Sequence, residues 1–297
     1  MVPSGLGEMR AALDEVDYLV DDGLSMALYL ATKLGQPLLL EGEPGVGKTT
    51  AAKALAESLR TPLIRLQCYE GITASEALYE WNYPRQMLAI RLAEAVGGDI
   101  TSADLFTPEF LLDRPLLKAI RHTADVPAVL LIDEIDRSDD EFEALLLEFL
   151  GESSITVPEL GTFTAPRPPI VILTSNRSRE LHDALKRRCY YHWIDYPAVD
   201  RAAAIVRRRV PGASMPLVDA ATAFVSAVRR LDLDKPPGLA EAIDWVHALH
   251  ALGLAELERP LALATVGSIA KTPDDHAAIR DALDDGRADA SVASTVP

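Results

Sequence analysis

The sequence predicts an α/β fold: a parallel five-stranded sheet between helices, followed by a small all-helical domain. Three observations predict it. Residues 38–52, LLLEGEPGVGKTTAA, set a glycine-rich loop of spacing G-x-x-x-x-G-K-S/T between an apolar run and an alanine-rich run, strand then helix. Four further short apolar or β-branched runs follow, separated by helical patterns, and a strand after such a helix implies parallel pairing through right-handed crossovers. Beyond Asp195, Tyr196 and Pro197 the strand-like runs stop. Residues 1–197 therefore read as the α/β core, 198–271 as the helical domain and 272–297 as an acidic tail.

Taken in order, residues 8–34 show helical spacing interrupted near Asp21, Asp22 and Gly23, which predicts two helices before the first strand. Two readings stand for Tyr18, Leu19 and Val20 at their junction: core packing, or an adenine contact. Residues 36–40 form the strand into the glycine loop and 50–59 continue the helix after it. PLIRLQ, 62–67, is a second strand. Residues 68–96 are mostly helical in pattern and break at Asn82, Tyr83 and Pro84. Trp81 and Tyr83 flank that break, either buried or as a loop that grips a partner. Residues 106–122 return to helix, with Pro115 at a start. VPAVLLIDE, 126–134, is a buried central strand, and 139–149 is a helix with Phe142, Leu145, Leu146 and Phe149 on its apolar face. ITVPELGTFT, 155–164, reads as a hairpin, either a structural loop or one that engages a partner. PIVILT, 169–174, is another buried strand, ending in Ser175 and Asn176. A basic turn, 181–188, leads to the fifth strand at 189–194. Four helical segments fill 198–271, divided by Pro211-Gly212, Lys235 to Gly238, and 258–260. The tail, acidic and free of aromatics, predicts at most one or two helical turns and then disorder.

The glycine loop carries the chemistry. Gly42, Gly45 and Gly47 let the backbone adopt positive φ and bring N–H groups close to phosphate oxygens, with Glu43, Pro44 and Val46 between them. The helix that follows points its positive end at the same anions. Lys48 is placed to reach the β and γ phosphates, Thr49 to hold Mg2+, and Thr50 to close the site. At the end of the central strand, Asp133 suits the Mg2+ shell and Glu134 suits the deprotonation of an attacking water. Adjacent strand residues face opposite ways, so this dipeptide serves one site only where the chain turns. Asn176 can sense the γ-phosphate or position the water. Arg187 and Arg188 either satisfy the end of their helix or reach the γ-phosphate of a neighbouring subunit. ATP and Mg2+ are thus the expected cofactors.

Composition bounds the partners. With 45 acidic against 29 basic residues in 297, the net charge is −16, which argues against a broad nucleic-acid footprint. The two cysteines, Cys68 and Cys189, lack metal spacing and read as buried small hydrophobes of a reduced, cytoplasmic protein. No leader and no apolar run of membrane-spanning length is seen. His247 and His250, three apart on a helix, read as an exposed face rather than a metal pair. Arg207, Arg208 and Arg209 compensate a helix dipole.

Together the P-loop, the Asp-Glu strand end, the polar residue ending the next strand, the basic turn and the helical domain resemble the AAA+ ATPases over roughly residues 10–270. Within that superfamily the chain resembles the MoxR family, and most closely its CoxD-like branch. The blocks EGEPGVGKT, IRLQCYEG, ALYEWNYPRQ, LLIDEIDR, LTSNRSRELHDALKRRC and YHWIDYP carry the resemblance. It implies that Asn176 is sensor 1 and that Arg187 or Arg188 is an arginine finger acting in trans. It makes the break from Trp81 to Arg85 a helix-2 insert, 155–164 a pre-sensor hairpin, and 198–271 a lid. It further implies a hexameric ring whose insert and hairpin face a central pore, working on a protein client with a von Willebrand factor A domain partner. The branch is linked to maturation of the metal centre of carbon monoxide dehydrogenase type molybdenum enzymes. One departure stands out: where relatives carry a sensor 2 arginine, this chain reads GLAEA, with Glu241 near that position and Lys235 as a substitute. Three other classes share some of these motifs: a P-loop small-molecule kinase, a non-hydrolysing adaptor and a nucleic-acid translocase. The Asp133-Glu134 pair and the basic turn count against the kinase, the acidic balance against the translocase.

Overall fold

The computed structural model describes residues 2–285. Among the described residues, 2–41 and 48–193 form one compact unit, and 42–47 with 194–285 form a second.

The first unit is built on β1 (Leu38–Gly42), β2 (Leu63–Gln67), β3 (Tyr79–Trp81), β4 (Leu111–Asp113), β5 (Val129–Asp133), β6 (Ser154–Val157), β7 (Gly161–Thr164), β8 (Ile170–Ser175) and β9 (Tyr190–Ile194). Five of them make one sheet in the order β2-β5-β8-β1-β9. Pairs β1 with β8, β2 with β5 and β5 with β8 are parallel, with Gln67 opposite Asp133 and Glu41 opposite Ser175. Burial explains the order. The inner strands β5, β8 and β1 are buried at every residue, as strands covered on both faces must be, whereas β2 and β9 carry their polar residues on the sheet edges. The carboxyl ends of β1, β5 and β8 consequently deliver Glu41, Asp133 and Ser175 to one rim.

Helices pack on this sheet for local reasons. Leu6–Asp14 and Asp22–Leu34 precede β1, the second capped by Asp21, which accepts the Leu24 N–H at 2.6 Å, and ended by the left-handed Gly35. Lys48–Leu59 buries Ala51, Ala52, Leu55 and Leu59 against the sheet. Asp140–Glu152 starts at the cap of Asp139 and buries Phe142, Leu146 and Phe149.

Two helical readings are corrected. Residues 68–96 form a single turn at Ala74–Ala77, then β3, then the helix Tyr83–Ala95, which Asn82 caps and in whose first turn Pro84 sits. The break is a strand end and a helix start, not an interruption inside one helix. Likewise 106–122 contains β4, which pairs antiparallel with β3, and only Pro115–Ile120 is α-helical. Trp81 is buried edge-on to Phe106, with ring centroids 5.1 Å apart; Trp81 belongs to the main core and Phe106 packs against it, so this pairing is packed onto the rest of its unit. Tyr83 stays exposed. β6 and β7 form the hairpin expected at 155–164.

In the second unit the helices Val199–Arg209, Met215–Val228, Leu239–Ala251 and Arg259–Ala264 surround Trp245 and Phe224, whose ring centroids lie 5.3 Å apart. The tail differs from its sequence reading. A helix over Pro273–Asp284 follows the Thr272 cap and buries Ile279, Ala282 and Leu283 in the same core, while the expected disorder falls on residues 286–297, outside the described ones. Asp275 on this helix is 2% exposed and accepts the backbone N–H groups of Asp234 at 2.9 Å and Lys235 at 3.3 Å. Asp275→Ala strands both donors and is expected to cost about 1–3 kcal/mol in urea unfolding, with Asp275→Asn recovering part of it. An unchanged midpoint would remove Asp275 from this role. Among the described residues no helix is long and apolar enough to cross a membrane.

Candidate nucleotide site

The loop Gly42–Gly47 is shaped by glycine at each landmark. A Cβ on Gly42 would lie 2.4 Å from the Ile194 carbonyl oxygen, and Gly45 and Gly47 take φ of +78° and +100°. Gly45 O accepts the N–H of Leu239 at 3.1 Å, and a Cβ on Gly238 would come within 2.9 Å of the Gly45 Cα and the Pro44 carbonyl oxygen. The loop thus rests against the start of the helix Leu239–Ala251. Glu241 there accepts the N–H of Gly238 at 2.9 Å, so the residue standing where relatives carry an arginine is a helix cap. Lys235 has its backbone N–H on Asp275. The arginine that reaches the loop is Arg229, which pairs with Glu43, donates to Pro237 O and lies over the Tyr196 ring at 4.2 Å. Sequence reading missed it, because nothing local marks an arginine that acts across 186 residues.

Next along the chain, Lys48 is buried to 7% exposure. Burial pulls its pKa down, and the carboxylates of Asp136, Asp133, Glu134 and Glu41, in that order, oppose the fall. Thr49 donates its hydroxyl to Asp133 Oδ1 at 3.0 Å. Thr174 on the neighbouring strand donates to the same oxygen at 2.5 Å and accepts the N–H of Glu134 at 2.9 Å. One hydroxyl therefore fastens both acidic residues.

The chain turns there as the sequence required. Glu134 sits at φ 56°, ψ 50°, a left-handed conformation costly to a side-chain-bearing residue. Its carboxylate receives Gln67 Nε2 at 3.1 Å and Arg137 Nε at 3.2 Å. Asp133 Oδ2 receives Arg65 through Nε at 2.9 Å and Nη2 at 2.6 Å, and Arg65 also donates to Gln67. Arg65 and Gln67 thus cross-link the end of β2 to Asp133 and Glu134 at the end of β5. Thr49 Oγ1 and Asp133 Oδ1 offer the hard oxygen donors that suit Mg2+, so the residues fit the ion.

A family model for the AAA domain, dynein-related subfamily, matches residues 37–189. The chain belongs to this family. The match runs from the residue before β1 to Cys189, before β9, and takes in the glycine loop, Asp133, Glu134 and Asn176. Among solved structures, a point mutant of Thermotoga maritima RuvB superposes with a TM-score of 0.50 at 18% identity, over 89% of this chain and 69% of that one. A Thermotoga maritima RuvB described as a Holliday junction branch migration motor gives 0.46 at 20% identity, over 90% and 72%. The first supports the P-loop AAA+ fold.

The other candidate residues of the AAA domain differ in their contacts. Asn176 follows β8, and its backbone N–H donates to Asp136 Oδ2 at 3.2 Å. Glu41, 5% exposed at the end of β1, accepts from Ser175 and Tyr191 and lies 3.8 Å from Arg177. The two arginines of the basic turn differ. Arg188 donates to Leu147 O at 2.7 Å, its guanidinium over Gly151, where a Cβ would come within 2.3 Å. Arg187 is exposed and, among the described residues, has no hydrogen-bond or ion-pair partner.

Outside the site, His250 lies against Gly212, His247 is exposed, and no group of three His, Cys, Asp or Glu among the described residues is placed to hold a metal. Cys68 and Cys189 are buried free thiols pushed up to about 12 by burial, and are inert near neutral pH.

Proposed function

We propose that this AAA+ protein is a ring-forming ATPase that hydrolyses ATP to remodel a protein client, of the MoxR type. The observation that carries the reading is the Thr174 clasp, which presents Asp133 to Thr49 and turns Glu134 out of the strand line toward the same rim. Lys48 and the loop N–H groups of Gly45 to Lys48 hold the phosphates, with Thr50 beside them, and Thr49 and Asp133 hold the magnesium ion. When bound, that ion neutralises charge on the β and γ phosphates. Glu134 takes the proton of the attacking water, and the Gln67 amide and Arg137 guanidinium fix the carboxylate that does so. Asn176 orients the water or the γ-phosphate.

Arg187 suits the finger that completes a neighbour's site, because it is exposed and has no partner among the described residues, while Arg188 is held within its own copy. Arg229, in contact with Glu43, takes the place of the absent sensor 2 arginine in linking loop and helices. The CoxD-like sequence blocks support a role in maturing a molybdenum hydroxylase, with a von Willebrand factor A domain adaptor, in the cytoplasm. The insert around Trp81 to Arg85 and the β6–β7 hairpin are the elements assigned to the pore and the client.

Phosphate release from Mg-ATP, followed with sedimentation velocity, tests the reading. Release to water that requires Mg2+, from a nucleotide-dependent ring, is the expected result. Transfer to a small acceptor instead would favour a kinase, and stimulation by DNA or RNA would favour a translocase.

A further inference from the structure

Asp133 is surrounded by donors on both oxygens. Oδ1 accepts the hydroxyls of Thr49 at 3.0 Å and Thr174 at 2.5 Å, and Oδ2 accepts Nε and Nη2 of Arg65 at 2.9 Å and 2.6 Å. The two sides supply different things. Two neutral hydroxyls, one from the helix after the glycine loop and one from β8, fix where the carboxylate points, and the residue is 2% exposed. Its orientation therefore does not need Arg65. What Arg65 alone adds is a positive charge, delivered at hydrogen-bond distance to the residue assigned to Mg2+.

Nor does the sheet need it. β2 is an edge strand joined to β5 by backbone pairing from Leu63 to Gln67, in which Arg65 stands opposite Leu131. From there its side chain, 47% exposed, reaches along the rim to Asp133. The rim is otherwise acidic, since the carboxylates of Asp136, Asp133, Glu134 and Glu41 all act on the Lys48 ammonium. A divalent ion entering here is attracted by those carboxylates and repelled by the guanidinium held against one of them, and at such short range in a partly desolvated rim the repulsion is strong. The protein also cannot complete an octahedral shell of oxygens by itself. No group of three His, Cys, Asp or Glu among the described residues is placed to hold a metal, so phosphate oxygens have to supply the remainder.

We propose that Arg65 is a counter-cation that loosens the grip of Asp133 on Mg2+, so that the ion enters and leaves with the nucleotide instead of staying on the protein. Arg65 acts through Asp133 and is a positioning residue, a role that rests on the nucleotide reading above. An ion held chiefly by phosphate oxygens departs together with ADP, which clears the rim for the next triphosphate. The half-exposed guanidinium keeps its contact with Asp133 from the strand edge throughout.

Titration of Mg2+ into the full chain with a fluorescent ADP analogue tests this, because ADP takes hydrolysis out of the readout. Arg65→Met keeps the stem and removes the charge, and is expected to lower the half-saturating Mg2+ concentration by about tenfold. Affinity for the analogue in EDTA is expected not to rise, since the variant has lost a positive charge beside an anion site. Arg65→Lys keeps the charge and is expected to stay near wild type. Arg65→Gln, a neutral side chain that can still donate to Asp133, separates charge from packing and is expected to move with Arg65→Met; it decides the matter if Arg65→Met does not fold. An unchanged or higher Mg2+ requirement in the neutral variants, which is what a purely structural contact predicts, would overturn the proposal. So would a lysine variant that follows Arg65→Met, or a parallel rise in metal-free affinity. A wild type that binds the analogue and responds to Mg2+, with neutral variants that match it, would sink this role alone, whereas a wild type that binds no nucleotide at any Mg2+ concentration would sink the nucleotide reading itself.

Discussion

Glu134→Gln is expected to bind ATP with wild-type affinity and to hydrolyse it about 10²- to 10⁴-fold more slowly, the range for removal of a positioned general base. Glutamine keeps the length of the side chain and the capacity to accept from Gln67 and Arg137, so the turn and the phosphate contacts survive. What it loses is the basic oxygen. The residue's own backbone is held by the Thr174 hydroxyl and its left-handed φ, neither of which the substitution touches. Fluorescent nucleotide titration and single-turnover phosphate release measure the two halves separately. Loss of binding in parallel with turnover would mean that Glu134 supports the phosphate site instead of the water, and near-normal turnover would remove it from the reaction.

Trp245→Ala is expected to lower the stability of the helical unit by about 3–5 kcal/mol, the upper range for truncating a fully buried large side chain. Trp245 is wholly inaccessible, lies tilted at 45° against Phe224 with ring centroids 5.3 Å apart, and donates its indole N–H to Thr265 Oγ1 at 2.8 Å. Removing it opens a cavity beside Phe224 in the core of this unit, and leaves the Thr265 oxygen without its donor. Trp245→Phe fills most of the space but not the hydrogen bond, and is expected to fall between the two. Near-UV circular dichroism against urea reads the result, and a loss under about 1 kcal/mol would show that the helices close the gap by themselves.

The parts of this fold legible in the sequence are those whose cause is local. Val129 to Ile132 announced a strand covered on both faces, and the glycines of the loop announced positive φ, as Gly45 and Gly47 bear out. The three-residue strands β3 and β4 were not legible, because each exists only through a partner about thirty residues away and neither is long enough to show alternation. The tail helix was missed for a related reason. Its apolar residues are few and small, and its stability comes from Ile279 and Leu283 entering a core assembled by other helices. At the site, Asp133, Glu134 and Lys48 could be named from spacing. Arg65, Thr174 and Asp136 could not, since an arginine on an edge strand or a threonine in an apolar run has no distinctive neighbours until β2, β5 and β8 align.

The left-handed backbone at Glu134 also restricts how descendants of this chain can drift. Substitution by Gly, Asn or Asp fits that conformation, while Val, Ile or Thr adds branching at Cβ where the main chain is already crowded. A lineage that abandons turnover but keeps its architecture is thus steered toward a narrow set of replacements at one codon, and the residue found there in a silent paralogue reports whether the kink itself has been retained.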